Sequence, residues 1–253
     1  MSDFVEDHPS KFQRFFVFNS SWGPTEDTEQ DKIVYFHPKD DENQPKHVGL
    51  IEALITFMKV FSEHPANVQH NLKTKTVFQE FEPGFYMVLS VAAPFRVKNH
   101  ASEDQKETNY FTEKLHDNVL TSILQRTYDM FKVFTGGFTH HGADHDSIRT
   151  KCDTFFSRFI PSLNFSSNHL NLVNDLFGAV QFLTLESLDF LHVQSFVNKV
   201  ENDFPCIDKS LFLHHGNIVW SGIQQKETQL LYYYVYHTLL PNSSSKLSGK
   251  NTF

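Results

Sequence analysis

The pattern of hydrophobic and polar positions divides the chain into segments typical of strands and helices. Short runs rich in aromatic and β-branched residues, bounded by Pro, Gly or polar clusters, are typical of β-strands. Apolar residues spaced three and four apart over longer stretches are typical of amphipathic helices. In the first part of the chain, the pattern predicts strands at 12–19 and 31–38, a helix at 48–62, and strands at 74–81 and 85–95.

The strand predicted at 85–95 is apolar at almost every position. A strand with one solvated face alternates between apolar and polar residues, whereas a strand that is buried on both faces does not. We therefore expect this strand to lie at the centre of a sheet that carries helices on both faces. The polar stretch at 96–109 predicts a solvated loop or the tip of a hairpin.

Two amphipathic helices follow the predicted sheet. One apolar stripe extends over 110–134, and a second lies at 148–159 and ends before Pro161. Asp144 or Asp146 is placed to cap the second helix. Cys152 lies on the apolar stripe, so we expect an inert core thiol rather than a nucleophile.

Beyond a polar linker, the pattern of strands and helices begins again. It predicts a short helix, an apolar strand or turn at 177–183 whose pairing the sequence leaves open, and a helix at 186–201. Strands at 211–214 and 217–221 then flank a Gly216-Asn217 turn, one of the pairs that tight hairpins favour. A helix at 227–240 and a polar tail follow.

The order strand, turn, strand, helix occurs twice, at 12–62 and at 210–240. The first copy continues into further strands and two helices, which predicts an α+β domain. The second copy has only a hairpin and one helix, which bury too little apolar area to be stable alone in water. We therefore expect a first domain at 1–140, its helical completion and a connector at 141–207, and an incomplete second domain with a loose tail at 208–253. On this basis we expect the chain to be a fragment or a short isoform of a longer protein.

Composition and charge narrow the class of function. The 253 residues are 40% hydrophobic and include 27 Phe, which argues for a filled core rather than disorder. A formal net charge of −8 counts against nucleic acid as a partner and against direct attraction to an anionic membrane. The two cysteines lie far apart, and the acidic N-terminus lacks the basic and apolar regions of a signal peptide. We expect a cytoplasmic protein with reduced thiols.

The sequence contains no signature of a nucleophile elbow, a phosphate-binding loop or a dinucleotide site. The stretch THHGADHD, with His141 and His145 four residues apart, suggests a metal-dependent hydrolase as a distant alternative. Gly142 lies between these histidines and no Glu follows the first, so a solvated loop rich in turns and caps is favoured. We expect no catalytic residue, no metal and no cofactor.

The helix predicted at 48–62 is apolar over more of its circumference than packing on one sheet requires. At about 100° per residue its polar positions, Glu52, Thr56 and Lys59 with Gly49, share one narrow arc, and apolar residues fill about 240°. Packing on a sheet requires a stripe of roughly 100°. The surplus is covered either by other parts of the chain or by another protein, because exposed apolar patches of this size mark interaction sites.

Several segments resemble the Ccz-one family of vacuolar fusion proteins and occur in that family's order. They are FFVFNSSWGP, DKIVYFHP, HVGLIEALITF, GFYMVLSV, FGAVQFLTLESLDFLHVQSFVNKVE and NIVWSGIQQKETQLLYYYV. The most specific parts are the aromatic-Gly-Pro at 22–24 and the Trp-Ser-Gly at 220–222. The resemblance implies a longin-like fold, a five-stranded antiparallel sheet with one helix on one face and two on the other. It also implies that the hairpin at 211–221 begins an incomplete second longin unit.

The resemblance further implies a function. Members of the family bind the Mon-one subunit, and the pair is a guanine-nucleotide exchange factor for the late-endosomal GTPase Rab-seven. It acts in vesicle-mediated transport, endosome maturation and lysosome or vacuole fusion. We therefore expect peripheral recruitment to late-endosomal and lysosomal membranes through these partners. The alternative is a longin-type scaffold or trafficking adaptor without exchange activity.

The resemblance fixes no contact residues, so the candidate site residues come from the helix at 48–62. The candidates for contact with the partner subunit, at the edge of the apolar arc, are Ala53, Phe57 and Val60. The candidates for contact with the GTPase, on the polar arc, are Glu52, Thr56 and Lys59.

Overall fold

The computed structural model describes residues 4–23, 25–62, 66–99, 106–139, 144–163, 180–235 and 239. Contacts between residues divide the chain into two compact units, Met1–Asn171 and Leu172–Phe253. Each unit contains strands and helices of its own.

The main sheet of the first unit is five-stranded and antiparallel. The strands of this unit are β1 (Phe4–His8), β2 (Lys11–Asn19), β3 (Ile33–His37), β4 (Val68–His70), β5 (Thr74–Glu82), β6 (Phe85–Ala92), β7 (Phe95–Asn99) and β8 (Lys106–Tyr110). Its α-helices are α1 (Gln44–Phe61), α2 (Asp117–Thr135) and α3 (His145–Phe159). The main sheet has the order β3-β2-β6-β5-β4. This confirms the predicted fold class, with β2 and β6 inside the sheet.

Strands β2 and β6 are buried on both faces. Strand β6 is buried at every position except its last, as its apolar run predicted. Strand β2 lies beside it in antiparallel register, with Phe16 opposite Val88, and its residues 15–18 are at most 1% exposed. Because successive side chains of a strand point to opposite faces, such a run requires cover on both sides of the sheet.

Helix α1 covers one face of the sheet. The buried cluster at this contact consists of Val48, Ile51 and Ile55 from the helix and Phe16, Phe18, Phe36, Phe78, Tyr86 and Val88 from the sheet. The helix begins at Gln44, earlier than predicted, because Pro45 is tolerated in the first turn, where its missing N–H is not needed.

Helices α2 and α3 cover the other face. The ring of Phe156 in α3 lies 5.0 Å from that of Phe15 in β2 and 5.0 Å from that of Phe131 in α2. Asp144 caps α3 by accepting a hydrogen bond from the backbone N–H of Ser147, which confirms one of the two predicted caps. One helix on one face and two on the other is the arrangement that the family resemblance implied.

The carboxylate of Glu82, at the end of β5, fixes the segment that follows α2. It accepts hydrogen bonds from the backbone N–H groups of Phe138 and Thr139, each at 2.8 Å, and from the hydroxyl of Tyr128 at 2.9 Å. Burial raises the pKa of this carboxyl group, but the hydrogen bonds outweigh burial and hold the pKa below its ordinary value.

A second, three-stranded sheet of order β1-β7-β8 corrects the prediction for residues 96–109. The described part of that stretch is an antiparallel strand pair, which agrees with the hairpin alternative and not with the solvated loop, and β1 was not predicted at all. The pairing is stabilised across strands, because Arg96 binds Asp7 at 2.6 Å and the ring of Phe95 stacks on His8 at 4.3 Å. Residues 106–110 therefore belong to β8, and α2 begins only at Asp117 instead of at 110.

The second unit contains α4 (Ser187–Asp203), β9 (Leu211–His214), β10 (Asn217–Ser221) and α5 (Gln225–Tyr234). The hairpin strands have the predicted bounds. The turn consists of His215 and Gly216 rather than Gly216-Asn217, and both turn residues have positive φ, 47° and 79°. Two-residue turns with positive φ at both positions match the twist of a hairpin.

The segment predicted at 177–183, as far as it is described, pairs with the hairpin of the second unit. The N–H of Leu183 donates to the carbonyl of Ile218 at 2.8 Å, and the N–H of Ile218 donates to that of Gln181 at 2.7 Å. Helix α4 also lies in this unit, where Phe190 contacts Trp220 with ring centroids 5.7 Å apart. Of the segment 141–207, predicted as the helical completion of the first domain and a connector, α3 lies in the first unit and α4 in the second.

We predict that Ile51→Ala lowers the free energy of unfolding of the first unit by about 2–4 kcal/mol, because it leaves a cavity between α1 and the sheet. Leu50→Ala, at the adjacent exposed position, is the matched control, and we expect it to change the free energy of unfolding by less than about 0.5 kcal/mol. Chemical denaturation of the two variants measures both values, and equal losses would contradict the packing of α1.

We predict that Glu82 makes stability depend on pH under acidic conditions. Since its folded-state pKa is lowered, its contribution is fully present above the ordinary value of 4.5 and is lost as the pH falls through the folded-state pKa. The variant Glu82→Gln is expected to be less stable at neutral pH and to show a shallower acid dependence. Denaturation midpoints across this range test the expectation, and identical slopes for the two proteins would contradict it.

Candidate functional site

The surface of α1 is divided into three arcs. At about 100° per residue, the buried positions Val48, Ile51 and Ile55 fall within an arc of about 60°. The polar positions lie beside this arc. The third arc, opposite the sheet, consists of exposed apolar residues: Leu50 (58% exposed), Ala53, Phe57 (63%), Val60 (75%) and Phe61 (73%). These five residues are called the α1 ridge below.

The α1 ridge is a continuous apolar surface. Its members at 50, 53, 57 and 60 are spaced three and four residues apart, so their side chains are neighbours along the helix. The rings of Phe57 and Phe61 contact each other with centroids 4.8 Å apart. The sequence left open whether other parts of the chain cover this arc, and among the described residues of the first unit these positions remain exposed. Exposed clustering of this kind is typical of protein interfaces.

The structure places the predicted partner-contact residues Ala53, Phe57 and Val60 together on this ridge, in exposed positions. Leu50 and Phe61 belong to the same surface and were not among the predicted site residues. The helical spacing already contained the signal for them, because both positions fall within the same arc as Phe57.

The polar arc is partly engaged in contacts within the chain. Glu52 binds Lys32 at 2.7 Å, and both side chains are mostly buried. Lys59 donates a hydrogen bond to the hydroxyl of Tyr86 at 2.8 Å. Thr56 is exposed. The polar arc thus presents one exposed hydroxyl between two side chains that are held in place.

The network at the end of α1 fixes charge beside the apolar ridge. The hydroxyl of Tyr86 donates to Glu80 at 2.6 Å while accepting from Lys59, and the Lys59 ammonium lies 3.8 Å from the Glu80 carboxylate. The hydrogen bond to Tyr86 raises the pKa of Lys59. Burial raises the pKa of Glu80, but the bonds from Tyr86 and the N–H of Gly84 outweigh it and lower that pKa. Both groups therefore stay charged at neutral pH.

Lys32, Glu80 and Tyr86 are residues of this region that sequence reasoning missed. Each is distant in sequence from its partner on α1, and helical periodicity carries no information about contacts with a loop or a strand. Only the pairing of β5 with β6, which places Glu80 opposite Tyr86, brings them together.

The aromatic-Gly-Pro motif at 22–24 has a structural role at its first two residues. The ring of Trp22 stacks on His145 of α3 at 3.7 Å, which fixes the loop after β2 to that helix. Gly23 has a φ of +53°, and a Cβ atom there would lie 2.1 Å from the carbonyl oxygen of Thr28. No larger residue fits this turn without moving the backbone.

The histidine cluster of THHGADHD is only partly described, since His140 and His141 lie outside the described residues. In the described part, Asp144 caps α3 and His145 stacks on Trp22. Within the ranges that the structure describes, no group of three or more His, Cys, Asp or Glu side chains is placed to hold a metal ion. Cys152 is fully buried, and burial raises the pKa of its thiol, which agrees with an inert core residue.

No helix among the described residues is both long enough and apolar enough to cross a membrane.

Comparison with known proteins agrees with the fold of both units. Residues 12–136 match a family model described as the first longin domain of INTU, CCZ1 and HPS4. Residues 207–251 match a model described as the Intu longin-like domain 2. The sheet, its helices and these matches define a longin-domain protein with a second, partial longin-like unit.

Full-length relatives place the chain within this class. A Vacuolar fusion protein CCZ1 homolog from Nematostella vectensis is 36% identical over 245 residues, which are 94% of this chain and 52% of the relative. Proteins of the same name from Xenopus tropicalis and Xenopus laevis are each 33% identical over 248 residues, covering 94% of this chain and 51% of theirs. The chain belongs to the CCZ1 family of vacuolar fusion proteins. It spans about half the length of the curated relatives that it matches.

We predict that Lys32 and Glu52 are energetically coupled. A double-mutant cycle with Lys32→Ala and Glu52→Ala is expected to give a coupling free energy of about 0.5–1 kcal/mol, since both side chains are shielded from solvent. The pair Lys39 and Asp153, whose side chains are mostly exposed, is the control and is expected to give a coupling near zero. Equal coupling for the two pairs would contradict a fixed position for Glu52.

Proposed function

We propose that the chain is a subunit of a heterodimeric guanine-nucleotide exchange factor for the late-endosomal GTPase Rab-seven, together with the Mon-one subunit. Membership of the CCZ1 family supports a role in vesicle-mediated transport and in the fusion of late endosomes with lysosomes or vacuoles. The observation that carries the proposal is the α1 ridge, an apolar surface that the chain leaves exposed.

The Mon-one subunit binds at the α1 ridge in this proposal. Ala53, Phe57 and Val60 form the centre of the contact, and Leu50 and Phe61 extend it along the helix. Phe57 and Phe61 supply the largest area, and aromatic residues dominate the binding energy of most interfaces. Covering the ridge also removes apolar surface from water at roughly 25 cal/mol per Å².

The GTPase contacts the polar arc of the same helix. Thr56 is free to donate or accept a hydrogen bond from an exposed position. Glu52 and Lys59 are held by Lys32 and Tyr86, so less side-chain entropy is lost when a partner binds them. The two contacts lie side by side on one helix. We therefore expect the Mon-one subunit, once bound at the ridge, to form part of the GTPase site.

Exchange requires no nucleophile or general base in this chain. An exchange factor binds the nucleotide-free GTPase better than the loaded form and thereby shifts the population toward an open nucleotide site. When the switch segments of the GTPase open, their contacts to Mg²⁺ and phosphate are lost and nucleotide dissociates. Because both subunits contribute to the surface that binds the GTPase, we expect the chain alone to accelerate nucleotide release from the GTPase only slowly.

A scaffold or trafficking adaptor without exchange activity is the second candidate. The observation that favours it is the α1 ridge itself, since an exposed apolar surface is enough to bind a partner and requires no exchange activity. In both cases the protein acts in the cytoplasm and reaches late-endosomal or lysosomal membranes peripherally, through its partners.

We predict that the chain co-purifies with the Mon-one subunit and that the pair releases a fluorescent nucleotide from Rab-seven faster than either subunit alone. Phe57→Ala is expected to weaken the pair at least about tenfold, because it removes the largest aromatic contact at the ridge centre. Leu72→Ala is the matched control, since Leu72 is 72% exposed and lies outside α1.

The outcomes separate the two candidates. Pairing with accelerated release supports the exchange factor, and pairing without it supports the adaptor. Equal losses for Phe57→Ala and Leu72→Ala would contradict the ridge as the contact surface. Fast release of the nucleotide by the chain alone would contradict a GTPase-binding surface that requires both subunits.

A further inference from the structure

Tyr86 connects the buried core to the polar arc of α1. Its ring is 5% exposed and stacks on that of Phe18, with the centroids 5.2 Å apart. Its hydroxyl accepts a hydrogen bond from the Lys59 ammonium at 2.8 Å and donates one to Glu80 at 2.6 Å. Because a ring packed in the core has little freedom to move, its hydroxyl is a fixed point for both charged side chains.

The carboxylate of Glu80 is also fixed from its other side. Its second oxygen accepts a hydrogen bond from the backbone N–H of Gly84 at 2.8 Å. Gly84 lies in the turn between β5 and β6 with a φ of +80°, a conformation that glycine adopts without strain. A continuous chain of hydrogen bonds therefore joins this turn to the end of α1 through Glu80, Tyr86 and Lys59.

A β-bulge in β5 turns Glu80 toward α1. The register of β5 and β6 shifts between Glu80 and Glu82. In a regular strand, residues two apart point to the same face of the sheet. Here the carboxylate of Glu80 binds Tyr86 on the α1 side, whereas that of Glu82 binds Tyr128 of α2 on the opposite side. Bulges are used in this way to re-aim side chains next to functional sites.

The network leaves the Lys59 ammonium oriented but accessible. Its side chain is 53% exposed. An ammonium has three N–H donors. One of them binds Tyr86, and the Glu80 carboxylate lies 3.8 Å away, so at least one donor remains for a partner. A lysine that is already held in one conformation loses less rotamer freedom when a partner binds it.

We propose that Tyr86 is a positioning residue for the GTPase contact, and that it presents the Lys59 ammonium to a carboxylate of the GTPase. This role rests on the proposed function, in which the polar arc of α1 contacts the GTPase. It adds a residue outside α1 and the chemical group that Lys59 recognises. A carboxylate matches an ammonium best, since charge on both groups strengthens the hydrogen bond.

The test measures nucleotide release from Rab-seven as a function of the concentration of the purified pair of this chain and the Mon-one subunit. Lys59→Met removes the ammonium and retains most of the length of the side chain. It is expected to raise the half-saturating concentration of the pair at least about tenfold. The response of that concentration to added salt is expected to become weaker, because one charge pair is lost.

Tyr86→Phe removes only the hydroxyl that holds Lys59. It is expected to raise the half-saturating concentration about threefold to tenfold, because Lys59 is then ordered only during binding. The salt response is expected to stay that of the unaltered pair, since the ammonium is still present. In the Lys59→Met background, Tyr86→Phe is expected to have no further effect on the half-saturating concentration.

Tyr128→Phe is the matched control. It removes a tyrosine hydroxyl that donates to Glu82 at 2.9 Å on the opposite side of the sheet. Both Tyr→Phe variants lose one hydrogen bond to a carboxylate, so both are expected to lower the melting temperature of the chain. Only Tyr86→Phe is expected to change the half-saturating concentration. A merely structural role for Tyr86 would give the same nucleotide release for the two variants.

The outcomes separate failure of the positioning role from failure of the proposed function. If Lys59→Met changes release and Tyr86→Phe does not, Tyr86 has no positioning role, while the GTPase contact is retained. If the unaltered pair releases no nucleotide, or if neither variant changes release, the proposed GTPase contact is wrong and the positioning role falls with it. Weaker binding by Lys59→Met with an unaltered salt response would contradict a carboxylate as the group that Lys59 binds.

Discussion

Strands β2 and β6 are buried on both faces, and the rest of the first unit depends on that constraint. Residues 15–18 of β2 are apolar at every position, and a strand of this kind is stable only between two layers of side chains. Helix α1 supplies one layer, and α2 with α3 supplies the other. Two helices cover one face and a single helix covers the other, and that single helix retains an outer side that faces away from the sheet. The α1 ridge lies on this outer side.

The residues on the outer side of α1 make this side of the helix a candidate interface. Three buried residues of α1, with Leu54 and Met58 partly buried beside them, pack the helix on the sheet, yet the opposite arc carries two phenylalanines and further aliphatic residues. Solvated helices of monomeric proteins place polar residues in such positions. Near the end of the ridge, Lys59, Glu80 and Tyr86 form a fixed network that places charge along one side of the apolar surface. An apolar centre with a polar rim is the usual anatomy of a protein interface.

Sequence patterns predicted the elements that are specified locally and missed those that depend on distant pairing. The run at 85–95 predicted a central strand because burial on both faces changes the residues of the strand itself. Strand β1 and the pairing of β7 with β8 went unrecognised, since their stability comes from Arg96 with Asp7 and similar contacts between distant segments. The same reason applies to the site. Helical spacing placed Ala53, Phe57 and Val60 on one face of α1, where the structure shows them exposed, whereas Lys32 and Tyr86 reach α1 only through the tertiary fold.

We propose that the outer arc of α1 is open in the chain alone and is covered when a second subunit binds. Hydroxyl-radical footprinting with mass spectrometry measures this directly, residue by residue, on the free chain and on its complex with the Mon-one subunit. The account predicts strong labelling of Phe57 and Phe61 in the free chain, loss of that labelling in the complex, and no labelling of Phe16 or Phe18 in either state. Protection of Phe57 and Phe61 in the free chain, or unchanged labelling in the complex, would contradict it.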